Sequence, residues 1–344
     1  MSATELQAAQ SESVGSGPGV AHRDRPALTE PFSIGDVEIP NRVLLAPLAG
    51  IGNWFVRLQA KRHGAGMAFS EMVSSHAIHY RNERTLTQLL AIHPDEHPVA
   101  LQLFGSDPEI MREAAGRVAE AGADIVDLNM GCPVKKVRKT GAGAELLADP
   151  DLAVAVARAA VEGCDRPVTV KLRSGLVSGD RSGVGVAVRL VEEAGVSAVA
   201  FHPRSANIGH KGFPDYGLVR ELVGLVDVPV IVSGGLSDAE HARFAYEESG
   251  ADAVMIARGS FGNPWIFEEL VGTEPEVPPR GVVRDELLWV VDRAEEHFGA
   301  ERAARYLRKF YPWYLPRLGL SARDVQGLDR IDDLSLVRER IASL

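Results

Sequence analysis

Short apolar runs alternate with longer, alanine-rich amphipathic stretches through most of the chain. The runs at 43–47, 67–71, 99–104, 124–129, 168–172, 198–202, 229–233 and 252–256 have the length and apolar content of buried strands. The stretches between them read as helices. Asp107-Pro108 and Asp149-Pro150 each supply an N-cap followed by proline at the first helical position, and Ser237-Asp238 opens a third helix. Gly122, Gly195 and Gly250 each close a helix just before the next strand. Ahead of the alternation, residues 32–44 read as a hairpin turned at Gly35-Asp36. After Phe267 it stops. Residues 272–279 are proline-rich and read as a linker, and residues 281–344 read as helices, with Leu287, Val290, Val291 and Ala294 at helical spacing.

Eight strand–helix units over roughly 225 residues predict an α/β fold of the (β/α)8 TIM barrel type, residues 31–270, with a small C-terminal helical domain over 281–344. A doubly wound open sheet is the alternative, but Ala46-Pro47-Leu48-Ala49-Gly50 after the first strand is not a dinucleotide fingerprint. In a barrel, functional groups gather at the C-terminal ends of strands. Those ends here carry Glu71, Gln102, Asn129 with Cys132, Lys171 with Arg173, His202 with Arg204, Ser233 with Gly234 and Gly235, and Ala257 with Arg258. Singly, each is more often a satisfied core polar group or a structural ion pair; together they mark a site. The small residues after the last two strands, with Arg258 beside them, suit a phosphate held by backbone N–H groups.

Cys132 stands on a turn where Gly131 and Pro133 end a buried strand. Lys135, Lys136, Arg138 and Lys139 follow it with no acid among them, which suggests chemistry on something anionic. A small buried cysteine in a structural turn is the plainer alternative. The net charge of −10 argues against a generic nucleic-acid coat, yet Arg302, Arg305, Arg308, Lys309, Arg317 and Arg323 run without an intervening acid. Aromatics interleave with them from Tyr306 to Tyr314, so that stretch reads either as an amphipathic helix packed on the barrel or as an RNA contact. The two cysteines, Cys132 and Cys164, lack metal-ligand spacing and suit a reducing cytoplasm; no metal is expected. No apolar run approaches the ~18 residues of a spanning helix. Residues 1–30 lack a secretory h-region and read as a disordered extension.

From Asn129-Met-Gly-Cys-Pro133, with Lys136-Val137 and Ala142-Gly-Ala-Glu-Leu-Leu147, the chain resembles the tRNA-dihydrouridine synthases, FMN-dependent barrels that reduce uracil in tRNA. Ala46-Pro-Leu-Ala-Gly50, Val170-Lys171-Leu-Arg-Ser-Gly175, His202 with Arg204, and Met255-Ile-Ala-Arg-Gly259 support the likeness over about residues 40–315. The resemblance implies that Pro47, Leu48, Ala49, Gln102, Lys171 and His202 hold the flavin ring. Ser233, Gly234, Gly235, Ala257 and Arg258 would hold its phosphate, and Asn129 and Arg204 would face the uracil. The basic loop and Arg305, Arg308 and Lys309 of the tail would meet tRNA, NADPH or NADH would be the reductant, and Cys132 would donate a proton to C5. A free thiol, of pKa about 8.5, is mostly protonated at neutral pH and suits that role. The chain departs from the family pattern at Ser233-Gly234-Gly235, at Gly52-Asn53, and at His202-Pro203-Arg204-Ser205 with the loop to Pro214. The other functions this sequence allows are reduction of a free pyrimidine or small enone, as by dihydroorotate dehydrogenases, and RNA binding by a barrel without catalysis.

Overall fold

A computed structural model of the protein describes residues 25–272 and 277–344; most of the expected extension, and part of the expected linker, lie outside the described residues. Among the described residues there are eleven strands: β1 (Phe32–Ile34), β2 (Val37–Ile39), β3 (Val43–Leu45), β4 (Met67–Phe69), β5 (Val73–Ser74), β6 (Val99–Phe104), β7 (Ile125–Met130), β8 (Val168–Arg173), β9 (Ala198–His202), β10 (Val230–Ser233) and β11 (Ala253–Ile256). β3, β4, β6, β7, β8, β9, β10 and β11 pair in parallel in that order, and β11 returns to β3, closing an eight-stranded barrel. The expected (β/α)8 fold is therefore present. Its helices start where the sequence places caps: the carboxylates of Asp107, Asp149 and Asp238 accept from the backbone N–H groups of Ile110, Leu152 and His241.

β1 and β2 form the expected antiparallel hairpin, which plugs the N-terminal end of the barrel. Ile34 and Ile39 are fully buried against Leu44, Met67, Phe69, Ala100, Ile125, Ala198, Ile231 and Met255. Alternate residues of a strand face the same side. Going up the barrel from this apolar floor, Ala100 therefore gives way to Gln102, Ile125 to Asp127 and Asn129, and Ile231 to Ser233. A second, larger apolar layer lies between the strands' outer faces and the helices and continues into the tail.

The tail is helical at Arg280–Phe298, Ala300–Leu307, Tyr311–Tyr314, Ala322–Asp329 and Leu334–Ala342. Its aromatics turn inward. Tyr311 and Tyr314 are buried, Trp313 stacks on Phe261 at 4.3 Å between ring centroids, and Tyr306 donates to the Ile51 carbonyl. The interleaved aromatics thus dock the tail beside the loops after β3 and β11, and Arg302, Arg305, Arg317 and Arg323 are left exposed.

Candidate active site

The C-terminal ends of the strands open onto a cavity of about 570 Å³, within the ~300–1,000 Å³ usual for cofactor and ligand sites. Pro47, Leu48 and Ala49 follow β3 into its wall, and Gln102, Asn129, Lys171 and His202 rise into it from β6, β7, β8 and β9. Ser233, Gly234 and Gly235 end β10, Ala257 and Arg258 follow β11, and Cys132 faces them from the turn after β7. Gly234 and Gly235 have φ of +95° and +86°. A Cβ on Gly234 would lie 2.3 Å from His202 Cδ2, so glycine there permits both the turn and the histidine packed under it.

One hydrogen-bond relay runs beneath the cavity. Thr169 Oγ1 donates to Asp127 Oδ1 and Gln102 Nε2 to Asp127 Oδ2, both at 2.6 Å. Gln102 Oε1 in turn accepts from Asn129 Nδ2 at 2.8 Å. Asn129 Oδ1 accepts from the backbone N–H groups of Gly131 at 3.2 Å and Cys132 at 2.9 Å. The strand interior and the cysteine turn are thereby one network. From the other side Arg173 clamps the same turn, donating to the carbonyls of Gly131 at 2.9 Å and Gly209 at 2.8 Å.

The cavity is electropositive. Lys171, donating to Ser233 Oγ at 2.8 Å, has its pKa lowered to about 8 by burial and by neighbouring Arg173, and remains mostly cationic at neutral pH. Burial and the cations Arg173, Lys171 and Arg204 push His202 well below its ordinary value, so it is a neutral imidazole. Arg204 Nη1 lies 3.3 Å from His202 Nε2; a guanidinium only donates, which leaves Nε2 as acceptor and the ring proton on Nδ1. His210 stacks near His202, and the same desolvation and surrounding cations lower its pKa to about 4.

Not every expected residue reaches the cavity. Arg204 is buried behind its wall, where Nε and Nη2 donate to the Gly212 carbonyl. Lys135, Lys136 and Lys139 are exposed on the rim, and Arg138 pairs with Glu145 at 2.7 Å. In the tail, Arg305 pairs with Glu301 and Arg308 with Asp332, whereas Lys309 reaches the barrel and donates to the Gly50 carbonyl at 2.9 Å.

Residues 44–324 match the model of the dihydrouridine synthase family. The chain belongs to that family. It is 36% identical over 291 residues to the tRNA-dihydrouridine synthase B of Vibrio vulnificus (strain CMCP6), covering 83% of this chain and 89% of that protein. To the tRNA-dihydrouridine synthase B of Pseudomonas aeruginosa it is 38% identical over 290 residues, covering 83% and 87%. Among solved structures, the old yellow enzyme homologue from Zymomonas mobilis superposes with a TM-score of 0.54 at 16% identity, over 73% of this chain and 94% of that one, a likeness of fold.

Three residues of this dihydrouridine synthase escaped the reading of its sequence as site residues. Asp127 and Thr169 stand two residues before Asn129 and Lys171 on the same strands, so strand alternation places them on the same inner face. That signal was present. His210 lies in an irregular loop, where no periodicity tells which side chains turn inward.

Proposed function

We propose that this dihydrouridine synthase reduces the C5=C6 bond of uridines in tRNA, in the cytoplasm, with FMN as resident cofactor and NADPH or NADH as reductant. The observation that carries this reading is the convergence, in one cavity, of a thiol, a ring-sized polar set and a small-residue anion cradle. The residues fit a flavin mononucleotide. Pro47, Leu48 and Ala49 offer an apolar wall, and Gln102, Lys171 and His202 offer polar groups for the ring's edge. The turns at Ser233–Gly235 and Ala257–Arg258 offer close backbone approach and a cation to a phosphate; a Cβ on Gly259 would meet the Leu236 carbonyl at 2.6 Å.

The cofactor, when bound and reduced, supplies the hydride taken up at C6. Everything else falls to the chain. Cys132 Sγ–H gives a proton to C5, so hydride and proton together saturate the double bond. Asn129 keeps its carbonyl on the cysteine turn and has one amide hydrogen that meets only the weakly accepting Met72 sulfur at 3.7 Å and can turn to the substrate. Lys171 would supply a positive charge to offset the negative charge of a reduced ring held in the cavity. Arg204 acts from behind, by holding His202 in one tautomer.

A uridine must leave its stack to enter the barrel, at a cost of a few kcal/mol. The helical unit 281–344, with Arg305, Arg308 and Lys309, and the loop cations Lys135, Lys136, Arg138 and Lys139 would offset that cost through phosphate contacts. The deciding experiment is mass spectrometry of tRNA nucleosides from a strain lacking the gene. Dihydrouridine should be lost at one or more positions and restored by the wild-type gene; an unchanged dihydrouridine content would remove the activity.

A further inference from the structure

Asp127 is fully buried in the barrel, one layer below the cavity; it does not line the cavity itself but is hydrogen-bonded to Gln102, which does. Yet it stands where the hydrogen-bond directions of the site are decided. An ionised carboxylate only accepts, and Asp127 accepts at both oxygens. Gln102 must therefore turn its NH2 toward Asp127 and its carbonyl toward Asn129. Asn129 must then present its own NH2 to Gln102, which turns its carbonyl onto the N–H groups of Gly131 and Cys132. Were the Gln102 amide reversed, its carbonyl would face a carboxylate oxygen at 2.6 Å and its NH2 would face the NH2 of Asn129.

We propose that Asp127 is a positioning residue: by fixing the sense of the Gln102 and Asn129 amides, it makes both present N–H donors to a carbonyl-bearing heterocycle in the cavity and holds the Cys132 turn in place. This rests on the proposed flavin and uracil chemistry: each NH2 has one hydrogen committed to the relay, the other of Gln102 is left over, and the other of Asn129 meets only the Met72 sulfur, a weak acceptor at 3.7 Å in the cavity wall that a ring carbonyl can replace. Ring carbonyls are the acceptors such donors fit. The relay survives protonation of Asp127, because the Thr169 hydroxyl can rotate to accept while Oδ2 still accepts from Gln102. A neutral asparagine can do the same, receiving Gln102 at its carbonyl and donating to Thr169 Oγ1.

The test compares Asp127→Leu with Asp127→Asn in the full chain, reading the dissociation constant of FMN and the visible absorption spectrum of the bound flavin. Loss of a group that orients a metal ligand costs about 10–100-fold in affinity, and the same scale is expected for a residue that orients donors to a ring. Asp127→Leu should weaken FMN binding by that factor and shift the spectrum, and Asp127→Asn should restore both to within about threefold of wild type. If Asp127→Leu fails to fold, Asp127→Asn/Thr169→Val replaces it: without the hydroxyl the new amide can flip, and affinity should fall about tenfold below Asp127→Asn alone. Wild-type affinity and spectrum in the disrupting variant, with only thermal stability lost, would overturn the relay. A wild-type chain that binds no flavin would overturn the reading beneath it as well.

Discussion

The lower and upper halves of the barrel interior are built by the same strands with the same alternation, yet they do opposite things. Below, Leu44, Met67, Phe69, Ile125, Ile231 and Met255 close on the hairpin residues Ile34 and Ile39 with no polar side chain among them. Above, the next inward residues are Gln102, Asp127, Asn129, Thr169, Lys171, His202 and Ser233. The first set fills space and asks nothing of its neighbours but volume. The second is directional, and Thr169, Asp127, Gln102 and Asn129 orient one another by relay from one strand to the next. A site of directional groups is therefore seated on a floor that supplies rigidity, and the two layers should respond differently to substitution.

The largest effect is expected at the mouth, from Cys132→Ala. FMN binding and reduction by the nicotinamide should proceed without the thiol. Reoxidation of the reduced flavin by tRNA should slow by about 10²–10⁴-fold, the usual share of general acid catalysis. Single-turnover stopped-flow absorbance measures it, and a wild-type rate would take Cys132 out of the mechanism.

Next come two substitutions that separate the layers. Phe69→Ala removes a fully buried floor ring and should cost about 3–5 kcal/mol of stability while the remaining folded fraction binds FMN normally. Arg258→Ala, exposed on the cavity rim, should leave the melting temperature nearly unchanged and weaken FMN by about 10–150-fold, the loss of one charge-assisted hydrogen bond worth ~1.5–3 kcal/mol. Equal effects of both variants on stability and affinity would show that floor and mouth are not separable.

Asp127 sits at the border between the layers and gives a pH signature. Burial raises its pKa from 3.8 to about 7, against the opposing hydrogen bonds of Thr169 and Gln102 and the charge of Lys171. Between those values the unfolded chain has released its proton and the folded chain keeps it. Stability should therefore fall as pH rises through that window, by about 1.4 kcal/mol per unit. His202, whose pKa is lowered, acts in the opposite sense below its ordinary 6.5. The wild-type curve minus that of Asp127→Asn isolates the carboxyl: the variant should gain on the wild type from pH 4 to 7 and hold its gain above. Parallel curves in urea denaturation would show that Asp127 is ionised throughout.

Much of this was legible because strands and helices repeat. The eight barrel strands, the hairpin at Gly35-Asp36 and the caps at Asp107, Asp149 and Asp238 all rest on local periodicity or local hydrogen bonding, and they stand where the sequence puts them. Most cavity residues were legible for the same reason, since they end strands. The resemblance points Arg204 toward the uracil; in the structure its guanidinium donates to the Gly212 carbonyl, whose position depends on an irregular loop that spacing does not reveal. The run from Arg302 to Arg323 is acid-free in sequence, but Glu301 stands one helical turn before Arg305, a spacing the sequence shows, whereas only the folded tail brings Asp332 to Arg308. Contacts made by tertiary folding leave no trace in spacing.

That pairing sets the smallest expected effect, in the affinity for tRNA. Lys135, Lys136 and Lys139 are exposed, and no acidic partner for them is present among the described residues. Each phosphate they meet releases counterions, about 0.7–0.9 log units of affinity per log unit of salt. Arg305 and Arg308 already have carboxylate partners and must exchange one anion for another, so each should contribute less. Replacing the three lysines by alanine should therefore flatten the salt dependence of tRNA binding by about 2 to 3 units, and replacing the two arginines by less than about one. FMN affinity should not move in either variant. Binding titrations between low and physiological salt measure both slopes. If the arginine pair flattened the slope more than the lysine triplet, the tail's ion pairs would have to open on binding, and the main phosphate contact would belong to the helices rather than to the cysteine loop.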